Sequence, residues 1–338
     1  MNKVKLILWM LLIFILLNAI IVLLWPLRTS LKFNNYKPYS DEFIYSLKLN
    51  QSEALKLYLE TWQGERLFEY DEFTGLRESV STDGKYVNID IEKGRLVPNN
   101  DKNCKKNIFF YGGEIVFGYD VADNQSIPYY LREMFIEDKL DYCVFNFGRR
   151  TYYSTQENIL FQKHLLKNKI KERDMIIFLD GNNEQGNQKL LNTDFIEKNY
   201  NALHQKNWLL YKAGIEYFIT LLPATQLFEV LSKKISFNNK NKSSNHVVKN
   251  NLTEVVKVLE KNLKIRNAIC VEYNFQCHNF LFFAKNEKKT KYDKLKNNEN
   301  IEDLTNLHDK SLLINKHGSL SPESNKILAN NIYEKIID

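Results

Sequence analysis

Residues 108–121 read IFFYGGEIVFGYDV. Ile108 to Tyr111 form a short apolar run of strand character, Gly112-Gly113 ends it, and Glu114 is delivered onto a tight turn. That is the usual way to present a nucleophile, and a serine would be unsurprising there. Glutamate changes the chemistry, because an ionised carboxylate has only acceptors and no hydroxyl proton for a base to remove.

Outward from this turn, apolar runs of strand length alternate with helical segments, which argues for a parallel sheet covered by helices. The strands expected are 108–112, 142–147, 174–180, 216–222 and either 268–273 or 311–314. Helices are expected near 127–138, 155–168, 191–213 and 250–266. Ser154-Thr155-Gln156-Glu157 reads as a capping box, and Ser321 followed by Pro322 announces the last helix. Two stretches rich in asparagine and lysine, 233–250 and 284–300, read as solvated insertions.

The chain before residue 104 is different in kind. Residues 6–25, LILWMLLIFILLNAIIVLLW, are interrupted only by Asn18. That is about the 20 residues a bilayer-spanning helix needs. The run exceeds a signal-peptide core and no small-x-small cleavage site follows, so an uncleaved anchor is expected over 1–27. Lys3 and Lys5 precede the run and Arg28, Lys32 and Lys37 follow it, so the positive-inside rule does not orient it. Residues 28–103 read as a membrane-proximal lead-in, with helical spacing from Leu55 to Trp62 and a strand-like KYVNIDI, and 104–338 as the main domain.

With 44% hydrophobic residues the 338-residue chain can bury a large core. Its net charge of +6 comes from lysines scattered among asparagines, not from an arginine-and-aromatic pattern, so no nucleic-acid partner is expected. Cys143 lies in an apolar run and reads as a small buried hydrophobe. Cys270 and Cys277 match no zinc spacing, and a disulfide between them cannot be read from sequence. No metal and no cofactor are expected.

Four blocks fall where strands hand over to helices: Gly112-Gly113-Glu114, Asn146-Phe147-Gly148-Arg149, Asp180-Gly181-Asn182-Asn183-Glu184 and Asn315-Lys316-His317-Gly318. In an open parallel sheet ligands collect at that edge. Together the blocks resemble the SGNH (GDSL-type) hydrolase family, in particular the membrane-anchored branch found with bacterial envelope polysaccharide genes. YGGEIVFG is similar to the family's GGS-x-x-FG except at the nucleophile, and VFNFG and FLDGNNE resemble its second and third blocks. The likeness runs from roughly residue 65 to the end of the chain.

The resemblance implies a three-layer, flavodoxin-like α/β fold with a parallel sheet flanked by helices, behind one transmembrane helix. It implies an acyl-ester hydrolase or acyl transferase acting through serine, histidine and aspartate. Gly113, Gly148 and Asn183 then stand at the oxyanion pocket, Glu114 at the nucleophile, and Asn315 and His317 at the degenerate Asp-x-x-His block. Without a gap, Lys316 and Ser319 would take the aspartate and histidine positions, and neither alignment restores the motif.

Damage at both ends of the relay points to lost serine chemistry. The expected function is a catalytically degenerate, membrane-anchored protein that keeps the pocket and binds an envelope polysaccharide or an assembly protein. The soluble domain is expected on the periplasmic or extracytoplasmic side. The alternative is altered ester chemistry on envelope carbohydrate, with Glu114 as nucleophile or base and His317 as proton shuttle. A third reading, an active esterase using Ser154 or Ser319, is disfavoured because those serines read as a helix cap and a loop residue. On the first reading the Glu114 carboxylate would fold into the oxyanion pocket beside Gly148 and Asn183.

Overall fold

The computed structural model describes residues 37–63, 68–71, 74–78, 81–100, 104–149, 152–181, 251–282, 301–305, 307 and 312–337, and five isolated positions before residue 17. Most of the 6–25 run, the expected strand 216–222, the expected helix 191–213 and Asn183 lie outside them. Among the described residues no helix is long and apolar enough to cross a membrane.

The elements in chain order are α1 (Asp41–Leu47), α2 (Gln51–Tyr58) with a π turn (Leu59–Gln63), β1 (Phe68–Asp71), β2 (Gly75–Glu78), β3 (Thr82–Asp83), β4 (Asn88–Asp90) and β5 (Gly94–Arg95). Then come β6 (Lys106–Gly112), α3 (Glu114–Phe117), a 3-10 turn (Asp123–Gln125), α4 (Ile127–Glu137), β7 (Tyr142–Gly148), α5 (Ser154–Leu166) and β8 (Met175–Gly181). Last are α6 (Asn251–Glu272), β9 (Gln276–Phe282), β10 (Glu302–Asp303) and α7 (Pro322–Ile337).

The main sheet has the order β10-β9-β8-β6-β7-β5-β4-β3. Its first five strands are parallel, and β6 sits at the centre, paired with β7 from Lys106↔Tyr142 to Gly112↔Gly148 and with β8 from Ile108↔Met175. The sequence led to a parallel sheet, and the structure corrects that: β5, β4 and β3 add an antiparallel meander on the β7 edge. They are two or three residues long. Strands that short leave little periodicity to read.

Alternation along β6 makes the two faces. Ile108 and Phe110 join Val144, Ile177 and Leu179 under α4 and α7. Phe109 and Tyr111 join Phe147, Ile176 and Phe178 under α5 and α6. A satellite core packs α1 and α2, through Phe43, Leu47, Ala54 and Leu57, on Val87, Phe117, Tyr119 and Val121.

Two local expectations need correction. Residues 268–273 belong largely to α6, and the strand follows at 276–282. Of the expected strand 311–314, the described residues 312–314 contribute only an isolated bridge from Ile314 to Leu320. The α5 cap is Tyr153, whose N–H donates to Gln156 Oε1 at 3.4 Å, while Ser154 Oγ accepts from Asn262 Nδ2 at 2.8 Å. The last helix starts as read, with Ser324 N–H donating to Ser321 Oγ. Cys143 is buried but is not a free apolar side chain, because it is bonded to Cys104; a second disulfide joins Cys270 and Cys277.

Under the sheet, the Tyr111 hydroxyl lies 2.7 Å from His164 Nδ1 in the α5 layer. Burial raises the phenol pKa well above its ordinary value, so the hydroxyl donates and the imidazole accepts. Burial, helped by the Lys169 and Arg149 cations, lowers the His164 pKa to about 3. Between the unfolded histidine value near 6.5 and that figure, only the unfolded chain binds the proton. Stability should therefore be full above pH 6.5 and fall with acidification, by up to about 1.4 kcal/mol per pH unit. His164→Gln, which keeps an acceptor, should flatten that limb in urea unfolding measured from pH 7 to 4.

Candidate functional site

The carboxyl edge of β6 is built as the sequence reads. Gly113 caps α3, Glu114 is its first residue, and Gly118 closes it in the left-handed region at φ 83°. Glu114 is partly exposed. Gly148, at the end of β7, has to be glycine: a Cβ there would sit 2.2 Å from Phe117 N, so α3 packs backbone to backbone on the strand. The Gly148 N–H donates to Asn146 Oδ1 at 3.0 Å, and Asn146 Nδ2 donates to Phe117 O at 3.3 Å. The N–H expected to face an oxyanion is thus committed to its own strand.

Beyond α3 the chain is held by a buried cation. Arg95, 1% exposed, donates from Nε to Asp123 Oδ1 at 2.7 Å, from Nη1 to the carbonyls of Phe117 and Gly118, and from Nη2 to Val121 O at 2.7 Å. Asn88 adds bonds to Asp123 Oδ2 from its backbone N–H and from Nδ2. Burial still lifts the Asp123 carboxyl above its ordinary pKa, with Arg95 and Asn88 pulling the other way.

Asp120 sits inside that loop at φ 64°, with no exposed surface. Its carboxylate accepts four side-chain hydrogen bonds. Tyr39 Oη donates to Oδ1 at 2.8 Å, and Trp62 Nε1 donates to the same oxygen. Asn315 Nδ2 and Ser319 Oγ donate to Oδ2, each at 2.8 Å. Two of these donors come from the segment before the sheet and two from the fourth block.

The fourth block is therefore a loop tied to Asp120. Asn315, expected at the aspartate position, turns Oδ1 to the N–H groups of His317 and Ser319, at 2.9 and 3.0 Å, and does not hold the imidazole. Lys316 reaches the carbonyl of Lys37 at 3.4 Å. The His317 ring lies among Trp62, Tyr58 and Tyr39, with centroids at 5.4, 6.0 and 6.4 Å. Its Nε2 is buried and makes no hydrogen bond, so it is not bonded to Glu114. Ser319 Oγ is engaged by Asp120 and Ser154 Oγ by Asn262.

The third block is anchored from below. Arg266, with no exposed surface, pairs with Asp180 and with Glu157, donates to Ser154 O at 3.2 Å, and lies 3.8 Å over the Phe178 ring. This fixes the end of β8; the rest of the block, Asn183 included, is outside the described residues. No group of metal-ligating side chains occurs among the described residues.

Sequence reading missed Asp120, Tyr39, Trp62 and Arg95. The available signal was small: Asp120 is a single acid inside the apolar run that carries Glu114, and Trp62 ends a helical pattern.

No protein-family model matches the chain, and no curated protein matches. Solved structures do. A psychrotrophic esterase, EstA, from Pseudoalteromonas is 8% identical, with 69% of this chain and 97% of that one covered at TM-score 0.39. A lipolytic G-D-S-L family member from Veillonella parvula is 9% identical, with 68% and 97% covered at TM-score 0.39. A lipase/acylhydrolase from Enterococcus faecalis is 12% identical, with 68% and 95% covered at TM-score 0.37. These are likenesses of outline. What the described residues establish on their own is a mixed α/β chain with a parallel-rich sheet flanked by helices.

Asp120→Asn tests the hub. It turns an acceptor oxygen into an NH2 facing two donors, and should cost on the order of 3 kcal/mol in urea unfolding. An unchanged midpoint would mean that the four bonds contribute nothing.

Proposed function

We propose that this is an SGNH hydrolase-like protein whose serine relay has been lost and whose carboxyl-edge site binds a cell-envelope glycan or an assembly partner without cleaving it. The observation that carries the reading is the state of the fourth block. A working relay needs a carboxylate on one imidazole nitrogen and a nucleophile on the other. Here the nearby carboxylate, Asp120, is filled by Tyr39, Trp62, Asn315 and Ser319, and His317 Nε2 bonds to nothing. Glu114 at the nucleophile position supplies no hydroxyl. The altered-chemistry alternative requires a Glu114–His317 link, and that nitrogen does not make one.

The membrane anchor over 1–27 and an extracytoplasmic location are part of the same proposal. Two disulfides support it, because such bonds persist in oxidising compartments and are rare in the cytosol. An apolar run of spanning length before the domain supports the anchor.

A serine-directed fluorophosphonate probe should leave the native chain unlabelled, and Glu114→Ser should hydrolyse p-nitrophenyl acetate no faster than buffer, because a serine without an aligned base is a weak nucleophile. A covalent adduct on any serine, or turnover by the single variant, would overturn the loss of serine chemistry.

A further inference from the structure

A cleft apart from the carboxyl-edge residues has a volume of about 620 Å³. It lies between the α1–α2 corner at residues 47–49, the start of β4 with Lys85 and Tyr86 before it, residues 96 and 98 after β5, and the 3-10 turn. Neither Glu114 nor His317 lines it. Clefts of that volume are the usual size of small-molecule sites.

The walls are held before any ligand arrives. Gln125 Nε2 donates to Leu47 O at 3.2 Å while its Oε1 accepts the Ala122 N–H at 3.2 Å, which fastens the 3-10 turn to the end of α1. Asn88 is bonded to Asp123, and Asp123 to Arg95. Binding there orders little that is not already ordered.

The charges on the wall select the ligand. Asp123 is the acid that lines the cleft, and Arg95 balances it. Lys85 Nζ donates to Glu53 Oε1 at 3.1 Å and stands 4.8 Å from the Tyr86 ring centre; Tyr86 and Glu53 together hold that ammonium above its ordinary pKa, so it is charged and already balanced. Lys48 is exposed and enters no ion pair among the described residues. One cation is therefore left without a counter-charge.

A second observation points the same way. Tyr86 is 8% exposed, and its hydroxyl is buried without a hydrogen bond. A hydroxyl in that state carries a desolvation cost that an acceptor brought into the cleft would remove. Asn124 adds a neutral amide, and the rest of the lining is apolar, with Leu47, Leu49, Leu96, Pro98 and the Tyr86 ring. A single positive charge and a phenol donor fit one negative charge; a dianion would stay half unbalanced.

We propose that this cleft is a binding site for a small organic monoanion, a carboxylate or a phosphodiester on an apolar body, with Lys48 as its counter-charge and the Tyr86 hydroxyl as its donor. The site is independent of the reading of the carboxyl edge. It gives the segment before the central sheet strands a ligand of its own.

The test is a fluorine NMR titration of the full-length chain in lipid nanodiscs, with empty nanodiscs as the blank. The probes are para-fluorobenzoate, methyl para-fluorophenyl phosphate and the neutral para-fluorobenzamide; a preference between the two anions assigns the carboxylate or the phosphodiester as the source. At least one anion should bind saturably, and the amide roughly tenfold more weakly or not at all. Lys48→Gln should weaken the anion about fivefold and Tyr86→Phe about threefold, while Lys48→Arg should bind as the native chain does. Lys56→Gln, on α2 outside the cleft, should change nothing. Urea midpoints certify the variants, and Lys48, being exposed, keeps the test decisive should Tyr86→Phe shift its midpoint. Equal binding of the amide, no saturable binding of either anion, affinities indifferent to Lys48→Gln, or an equal loss with Lys56→Gln would overturn the site.

Discussion

Residues 117–123 leave a four-residue helix, turn through the left-handed region twice, and bury two carboxylates within four positions. Buried charge is tolerated only where donors surround it. Arg95 solves half of the problem by crossing from β5 to take Asp123 and three carbonyls of the loop. Asp120 is solved by distant donors, and that requirement draws the first helices and the fourth block to one point. The short antiparallel strands join the sheet for the same reason, since β5 is where the arginine must stand.

Much of the architecture was legible because it is periodic. β6, β7 and β8 are runs of seven residues, and the burial of all seven in β8 is what a central parallel strand reads as. The helices α4, α5 and α7 carry apolar spacing and turn-forming starts. β9 was misplaced because Ala268-Ile269-Cys270-Val271 looks strand-like, yet continues a helix whose earlier turns bury Leu259 and Leu263. Tertiary packing overrode local propensity there. Of the site, the turn at Glu114 and the tight approach at Gly148 were visible as glycine spacing. The role of Asp120 was not, since its donors stand 81, 58, 195 and 199 positions away in the chain.

On the proposed reading, the fourth block is a case of catalytic parts turned to structural use. A loop that would hold a mobile imidazole over a nucleophile is instead fastened by Asn315 and Ser319 to a carboxylate behind it. Asn315 also gathers two backbone N–H groups, so one side chain shapes the turn and attaches it. The arrangement favours persistence of one geometry, the opposite of what a proton shuttle needs.

The disulfide pattern bears on how the chain is made. Four cysteines allow three pairings, and the one observed joins the first to the second and the third to the fourth. On the proposed extracytoplasmic side, a chain emerging from a membrane pore into an oxidising space would bring each cysteine to its own partner before the next pair has appeared. Order of emergence alone then favours the correct bonds, and maturation makes little demand on a disulfide isomerase.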